Sequence, residues 1–234
     1  MNELINFYDI APKQTSAFNP NAADGAPIHP FPVALIVGCT GSGKTSSLLN
    51  IIFKCEAFDR IHICTKIPDE TLYAFLKNRL DKIDTKLCTF YPEIEDLPKL
   101  TELNTKHQHL FVIDDMVPEM TNKIRAKIVE DIAIRCRKSN TSLVFISQTY
   151  FGIPRPVRLQ ASYLILKQIN SKRDIKSIIS DAGLPFNPDR LMKVFKETTD
   201  GLGHFLMIDL KTCDNRKRLR KNFEPDENLF ERAH

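Results

Sequence analysis

The chain has 234 residues, enough for one domain with a full α/β core, and its apolar and charged fractions are those of a water-soluble globular protein. Its 33 Lys and Arg against 29 Asp and Glu do not announce a nucleic-acid binder, so where the charges sit matters more than their sum. Six cysteines (39, 55, 64, 88, 136 and 213) without a C-x-x-C pair argue against a zinc site or disulfide framework; no apolar run approaches a membrane span, and Met1-Asn2-Glu3-Leu4 does not open like a secretory signal.

Residues 1–30, rich in Asn, Ala and Pro, read as an extended N-terminal arm. His29-Pro30-Phe31-Pro32 then stiffens the chain ahead of an apolar strand, Val33-Ala34-Leu35-Ile36-Val37. Gly38-Cys39-Thr40-Gly41-Ser42-Gly43-Lys44-Thr45 follows, a G-x-x-x-x-G-K-[ST] phosphate-binding loop between a buried strand and a helix. The glycines let successive N–H groups converge on phosphate oxygens, and the helix start, including Ser46, turns its free N–H groups and positive dipole end to the same anion. Lys44 is expected to reach the β- and γ-phosphates and Thr45 to ligate Mg²⁺. The motif predicts a bound nucleoside triphosphate.

After the loop, residues 44–54 predict a helix with Leu48, Leu49, Ile52 and Phe53 on one face. Arg60–Thr65 predicts a strand, Pro68–Leu80 a helix with Pro in its first turn, Leu87–Tyr91 a strand and Ile94–Leu103 a weak helix. His109-Leu110-Phe111-Val112-Ile113-Asp114-Asp115 is an apolar strand ending in two carboxylates. Beside a phosphate loop about 70 residues earlier, Asp114 is placed to hold Mg²⁺ through its water shell and Asp115 to accept a proton from the attacking water.

Glu119–Lys138 predicts one long helix, with Met120, Ile124, Ile128, Ile132 and Cys136 at spacing four. Thr141–Gln148 predicts a buried strand whose terminal Gln148 can contact the γ-phosphate or orient the water. Beyond it come a basic loop, Ile153–Arg158, a strand Tyr163–Ile169, helices Ser171–Ser180 and Asp189–Lys196, and a last strand Phe205–Leu210. Residues 31–212 are thus expected to form the domain, and 213–234 a basic tail containing Arg216-Lys217-Arg218-Leu219-Arg220-Lys221. Strands alternating with helices predict a mostly parallel sheet covered on both faces, with ligands at the carboxyl ends of its strands.

A GTPase should carry N-K-x-D and a Gly shortly after the acidic strand; neither is present. A nucleotide or small-metabolite kinase fits the size and the loop but would not need Gln148. A non-hydrolysing, nucleotide-gated assembly factor is a third reading. Additional-strand ATPases require a strand between the loop strand and the acidic strand, and Arg60–Thr65 or Leu87–Tyr91 could supply it. GCTGSGKT, LFVIDD, RCRKSN and SLVFISQ together resemble the FtsK–HerA superfamily of DNA-pumping ATPases, and within it the genome-packaging ATPases of poxviruses, other large DNA viruses and virophages.

The resemblance implies a RecA-like additional-strand ATPase fold, with ATP and Mg²⁺ as cofactors. It implies that Lys44, Thr45, Asp114, Asp115 and Gln148 are the loop, metal, catalytic-acid and sensor residues. Arg137, eleven positions before Gln148, matches an arginine finger inserted into a neighbouring subunit's site, with Arg135 and Arg155 as fallbacks. The second acid is often Glu in the superfamily and is Asp here, which leaves a longer reach to the nucleophile. Also implied are a homo-oligomeric ring of five or six subunits, double-stranded DNA in its channel, capsid or portal partners, no membrane, and a place in the host-cell cytoplasm at the viral assembly site. Candidate DNA contacts are Arg155, Arg158, Lys172, Arg173 and the Arg216–Lys221 cluster.

Overall fold

The computed structural model describes Ile28 and residues 33–234 apart from Asn170; the expected arm, Ile28 excepted, lies outside the described residues. The apolar runs become β1 (Val33–Val37), β2 (Arg60–Cys64), β3 (Cys88–Tyr91), β4 (His109–Asp114), β5 (Thr141–Ser147), β6 (Tyr163–Leu166) and β7 (Leu206–Asp209), with two short strands, β8 (Leu219–Lys221) and β9 (Glu224–Pro225). They form one sheet in the order β3-β2-β4-β5-β1-β6-β7-β8-β9. The six strands from β3 to β6 in that order run parallel, and β7, β8 and β9 are added antiparallel. β1, β4 and β5 are buried along their whole length, as a sheet covered on both faces requires.

Alternation along β1 divides the core. Ala34 and Ile36 face α1 (Lys44–Cys55) and α2 (Thr71–Leu80), meeting Leu48, Ile51, Tyr73 and Leu76. Val33, Leu35 and Val37 share the opposite apolar cluster with residues of α3 (Lys123–Arg135), α4 (Arg155–Leu159), α5 (Lys172–Asp181), α6 (Pro188–Thr198) and α7 (Glu227–Ala233). The architecture is the expected α/β, RecA-like one, with helices on both faces.

Five expectations change. The strand between β1 and β4 is β5, while β2 and β3 lie beyond β4; the sensor strand itself is therefore the additional strand. The long helix at Glu119–Lys138 is α3 flanked by 3₁₀ turns at Val117–Thr121 and Cys136–Ser139. A strict spacing of four advances about 40° per step around a helix, so the apparent stripe winds off one face: Ile124 is 68% exposed, whereas Val129, Ile132 and Ala133 are buried. Asn122 starts the helix by accepting from the Ile124 and Arg125 N–H groups. The weak helix from Ile94 shrinks to a 3₁₀ turn, Ile94–Asp96, and the basic loop contains α4. Finally, residues 213–234 add β8, β9 and α7, and bury Leu219, Leu229 and Ala233 in the core.

Candidate active site

The phosphate loop leaves the carboxyl end of β1 with its backbone pinned on both sides. Gly38 N–H donates to the Ser147 carbonyl (3.1 Å) and Cys39 N–H to that of Gln168 (2.9 Å). A Cβ at Gly38 would sit 2.4 Å from Lys167 Cβ, so only glycine lets the strands close here. Gly41 and Gly43 take φ of 76° and 83°, left-handed values that turn the N–H groups inward. Gly43 caps α1 without a side chain, so the first N–H groups of the helix stay free. Lys44 Nζ donates to the Cys39 carbonyl (3.0 Å), laying the ammonium across the cradle.

A cleft of about 320 Å³ opens over this loop, lined by Thr40, Gly41, Gly43, Lys44, Thr45 and Ser46 together with Asp114, Asp115 and Gln148. Asp114 is buried, accepts from the Tyr73 hydroxyl and is pushed up to about 6, first by burial. Asp115 follows at φ 52°, a left-handed turn that swings its exposed carboxylate to the other side of the backbone. Gln148 Nε2 donates to both Asp115 oxygens at 3.2 Å. β5 lies between β1 and β4, so the phosphate loop, the two acids and the glutamine meet at the same edge.

The sites fit ATP and Mg²⁺ on their own chemistry. The buried Ser42 Oγ has no hydrogen-bond partner among the described residues, and it points within the loop. Thr45 and Asp114 offer a hydroxyl and a buried carboxylate to one hard cation.

Arg137 does not join this cleft. It stands exposed in the Cys136–Ser139 turn just before β5 begins, at the amino edge of the parallel strands and across the sheet from its own phosphate loop. Arg135, at the last turn of α3, lies near that same edge beside Asp131. Arg155 starts α4, a few residues past Gln148, and is exposed. Arg158 is paired with Asp181, its side chain only 8% exposed, and Arg220 is paired with Asp209; neither is free for DNA. The Lys172 side chain lies outside the described residues.

Several residues of the site carried no sequence motif. Thr65, Lys66, Ile67 and Glu70, on the connection from β2 to α2, line the cleft, and Tyr73 holds Asp114. Lys167, one residue past β6, is fully buried beside the loop. The one usable signal was positional: Lys167 ends a buried strand, as Gln148 does.

The model of the family described as "Poxvirus A32 protein" matches residues 25–228, which bears out the resemblance read from the sequence. No curated protein matches the sequence. Among solved structures, the DNA-packaging ATPase B204 of Sulfolobus turreted icosahedral virus aligns with a TM-score of 0.58 at 14% identity, over 83% of this chain and 98% of that one. The genome packaging NTPase B204 of Sulfolobus turreted icosahedral virus 2, solved with AMPPCP, aligns with a TM-score of 0.56 at 15% identity over the same shares. At such identities these similarities speak for the fold.

Proposed function

The chain belongs to the poxvirus A32 protein family, and from that premise and the geometry of the cleft we propose an ATP-driven motor that moves double-stranded DNA into a preformed viral capsid. One observation supports it above the others: the phosphate loop, Asp114, Asp115 and Gln148 line a single cleft. Lys44 is assigned to the β- and γ-phosphates, and the Gly38–Ser46 backbone to the phosphate cradle. Thr45 and Asp114 would hold Mg²⁺, which supplies charge neutralisation across the phosphates when bound. Asp115 takes the proton of the attacking water, and the Gln148 amide, already fixed on that carboxylate, holds the water in line.

Phosphoryl transfer is catalysed mainly by positioning and charge, and an arginine supplied in trans is worth roughly 10³–10⁵ in rate. Arg137 stands exposed at the opposite edge of the sheet from its own cleft, which suits a residue that completes a neighbour's. A head-to-tail arrangement of this kind closes into a ring, for which we propose five or six subunits with the duplex in the channel, capsid or portal proteins as docking partners, and the viral assembly site in the host cytoplasm as location. Among the described residues no helix is long and apolar enough to cross a membrane.

The deciding experiment measures ATPase rate against protein concentration, with and without duplex DNA. The motor requires a rate per subunit that rises with concentration as rings form, and further stimulation by duplex. Phosphate transfer to a small acceptor, independent of DNA, would instead reveal a kinase.

A further inference from the structure

Asp114, Asp115 and Gln148 stand on the β4/β5 side of β1. The reacting end of a triphosphate must point to that side, so its α-phosphate and nucleoside lead away toward β6 and β7. The chain there carries no motif, yet the segment that follows α6 is built against the phosphate loop. β7 runs antiparallel to β6 and begins where β6 ends, Leu206 pairing with Leu166. The residues just before β7 therefore lie at the carboxyl edge, beside the loop.

Contacts fix that placement. A Cβ at Gly43 would lie 3.9 Å from Gly203 Cα and 3.7 Å from Lys167 Nζ. Lys167 Nζ donates to the Gly203 carbonyl at 2.6 Å and sits 4.8 Å from the centre of the Phe205 ring. Gln168 Nε2 reaches the Thr199 carbonyl at 3.5 Å. Gly201 and Gly203 both take left-handed φ, 96° and 89°, and the turn between them lifts Leu202 out to 87% exposure. An apolar side chain so displayed, on a turn fastened next to a phosphate cradle, is left uncovered by the described residues. The ammonium that fastens it has no carboxylate partner among the described residues, and burial lowers it to about 8.

We propose that the turn Asp200–His204 is the nucleoside-side wall of the nucleotide site, fastened to the phosphate loop by Lys167, with Leu202 the apolar contact for the base. This rests on the nucleotide-binding reading above and deepens it. The contact is non-directional, so it favours a purine or pyrimidine ring over bare phosphate without reading its hydrogen-bonding edge. Lys167 is a positioning residue: it sets the distance between wall and cradle.

The test compares ATP with inorganic tripolyphosphate, which has the phosphates and no nucleoside. Affinities are measured without DNA by competition against a fluorescent ADP analogue. Leu202→Ser, at an exposed position that folding does not depend on, should weaken ATP about tenfold and leave tripolyphosphate within twofold. Lys167→Met should weaken both, while Lys167→Arg, which keeps a donor for the Gly203 carbonyl, should recover ATP binding in part. Unchanged ATP affinity in Leu202→Ser, or an equal loss for tripolyphosphate, overturns the assignment. A wild-type protein that binds no ATP would instead remove the nucleotide reading itself, so the two failures are distinct.

Discussion

The amide of Gln148 bridges both oxygens of Asp115 at 3.2 Å, joining the tips of β5 and β4 on the cleft floor. The contact makes the acid and the glutamine one unit: the amide fixes the carboxylate's direction, and the left-handed turn at Asp115 exposes it to the cleft. Gln148→Leu removes the bridge without touching the phosphate loop. We expect kcat to fall about a hundredfold to a thousandfold while nucleotide affinity changes less than about twofold. Asp115→Asn should do the same through lost basicity. Steady-state ATPase assays beside nucleotide titrations check this, and a loss confined to KM would contradict the assigned roles.

The Tyr73 hydroxyl on Asp114 implies a trade between stability and the proposed metal binding. Asp114 is buried, and Tyr73 is the side chain that donates to it. Tyr73→Phe strips that donor from a buried carboxylate, costing about 1–3 kcal/mol, or roughly 2–4 °C per kcal/mol in a domain of this size. Mg²⁺ and nucleotide together should recover part of the loss by supplying positive charge. Asp114→Asn keeps an acceptor for Tyr73 and removes the buried charge, so the metal-free protein should melt higher while turnover is lost. Thermal melts with and without Mg²⁺–ATP separate the two variants.

Much of this site was legible because its chemistry sits where buried strands end. Val33–Val37 and the stretch 110–113 are apolar throughout, so the polar residues that follow them stood out. Lys167 obeys the same rule but lacks a motif to give it meaning. Tyr73 and Glu70 were illegible for another reason: their place in the cleft depends on how α2 crosses the sheet, which local patterning does not encode. α3 failed through phase, since Ile124 and Ile134 are exposed while Val129 and Ala133 are buried. The C-terminal cluster misled because charge hid the alternation of β8, where Leu219 points inward between arginines that pair with Asp209 or the Thr212 carbonyl.

Those pairings sort the basic residues for the proposed contact with DNA. Arg158, paired with Asp181 and stacked 4.8 Å from the Tyr150 ring centre, belongs to the fold, and Arg158→Ala should destabilise by roughly 3 kcal/mol. Arg155 and Arg173 are exposed on α4 and α5 after the ends of β5 and β6, with Arg173 4.4 Å from the Phe151 ring centre. Arg216 and Lys217 follow the end of β7 and lie at the other edge. Arg155→Ala and Arg173→Ala should each lower the slope of log affinity against log salt by about 1. Arg216→Ala and Lys217→Ala should leave that slope unchanged. Duplex binding at several salt concentrations reads both outcomes.

His62 makes stability depend on acid. Its ring is buried in a chain of contacts, with Nδ1 3.1 Å from the Tyr91 hydroxyl, Nε2 3.1 Å from His109 Nδ1, and His109 Nε2 3.2 Å from the Asn104 carbonyl. Burial, then His109 and Arg60, lowers His62 from 6.5 to about 4. The unfolded chain therefore takes up this proton first as pH falls. Its contribution is complete above about 6.5 and disappears between there and about 4. The shift corresponds to about 3 kcal/mol at most. Urea midpoints across that window should fall more steeply for wild type than for His62→Gln; parallel declines would exclude His62 as the cause.

Arg137 is the residue whose proposed role depends most on assembly. It stands at the amino edge, four residues ahead of β5, while the phosphate loop leaves the carboxyl edge of β1. A side chain cannot span the length of the sheet to its own cleft, so a catalytic Arg137 must act on another copy. Arg137→Ala alone should lower turnover by roughly 10³ or more, with nucleotide affinity unchanged. Lys44→Ala should lose phosphate binding while leaving its own Arg137 intact. Mixed rings then contain some interfaces in which an intact loop faces an intact arginine, so two inactive preparations should recover measurable activity on mixing. Recovery should depend on the mixing ratio and peak near equal amounts, because productive interfaces need one partner of each kind. If mixtures stay as inactive as their components while still forming rings, Arg137 is not the arginine supplied across the interface, and Arg135 or Arg155 becomes the residue to substitute.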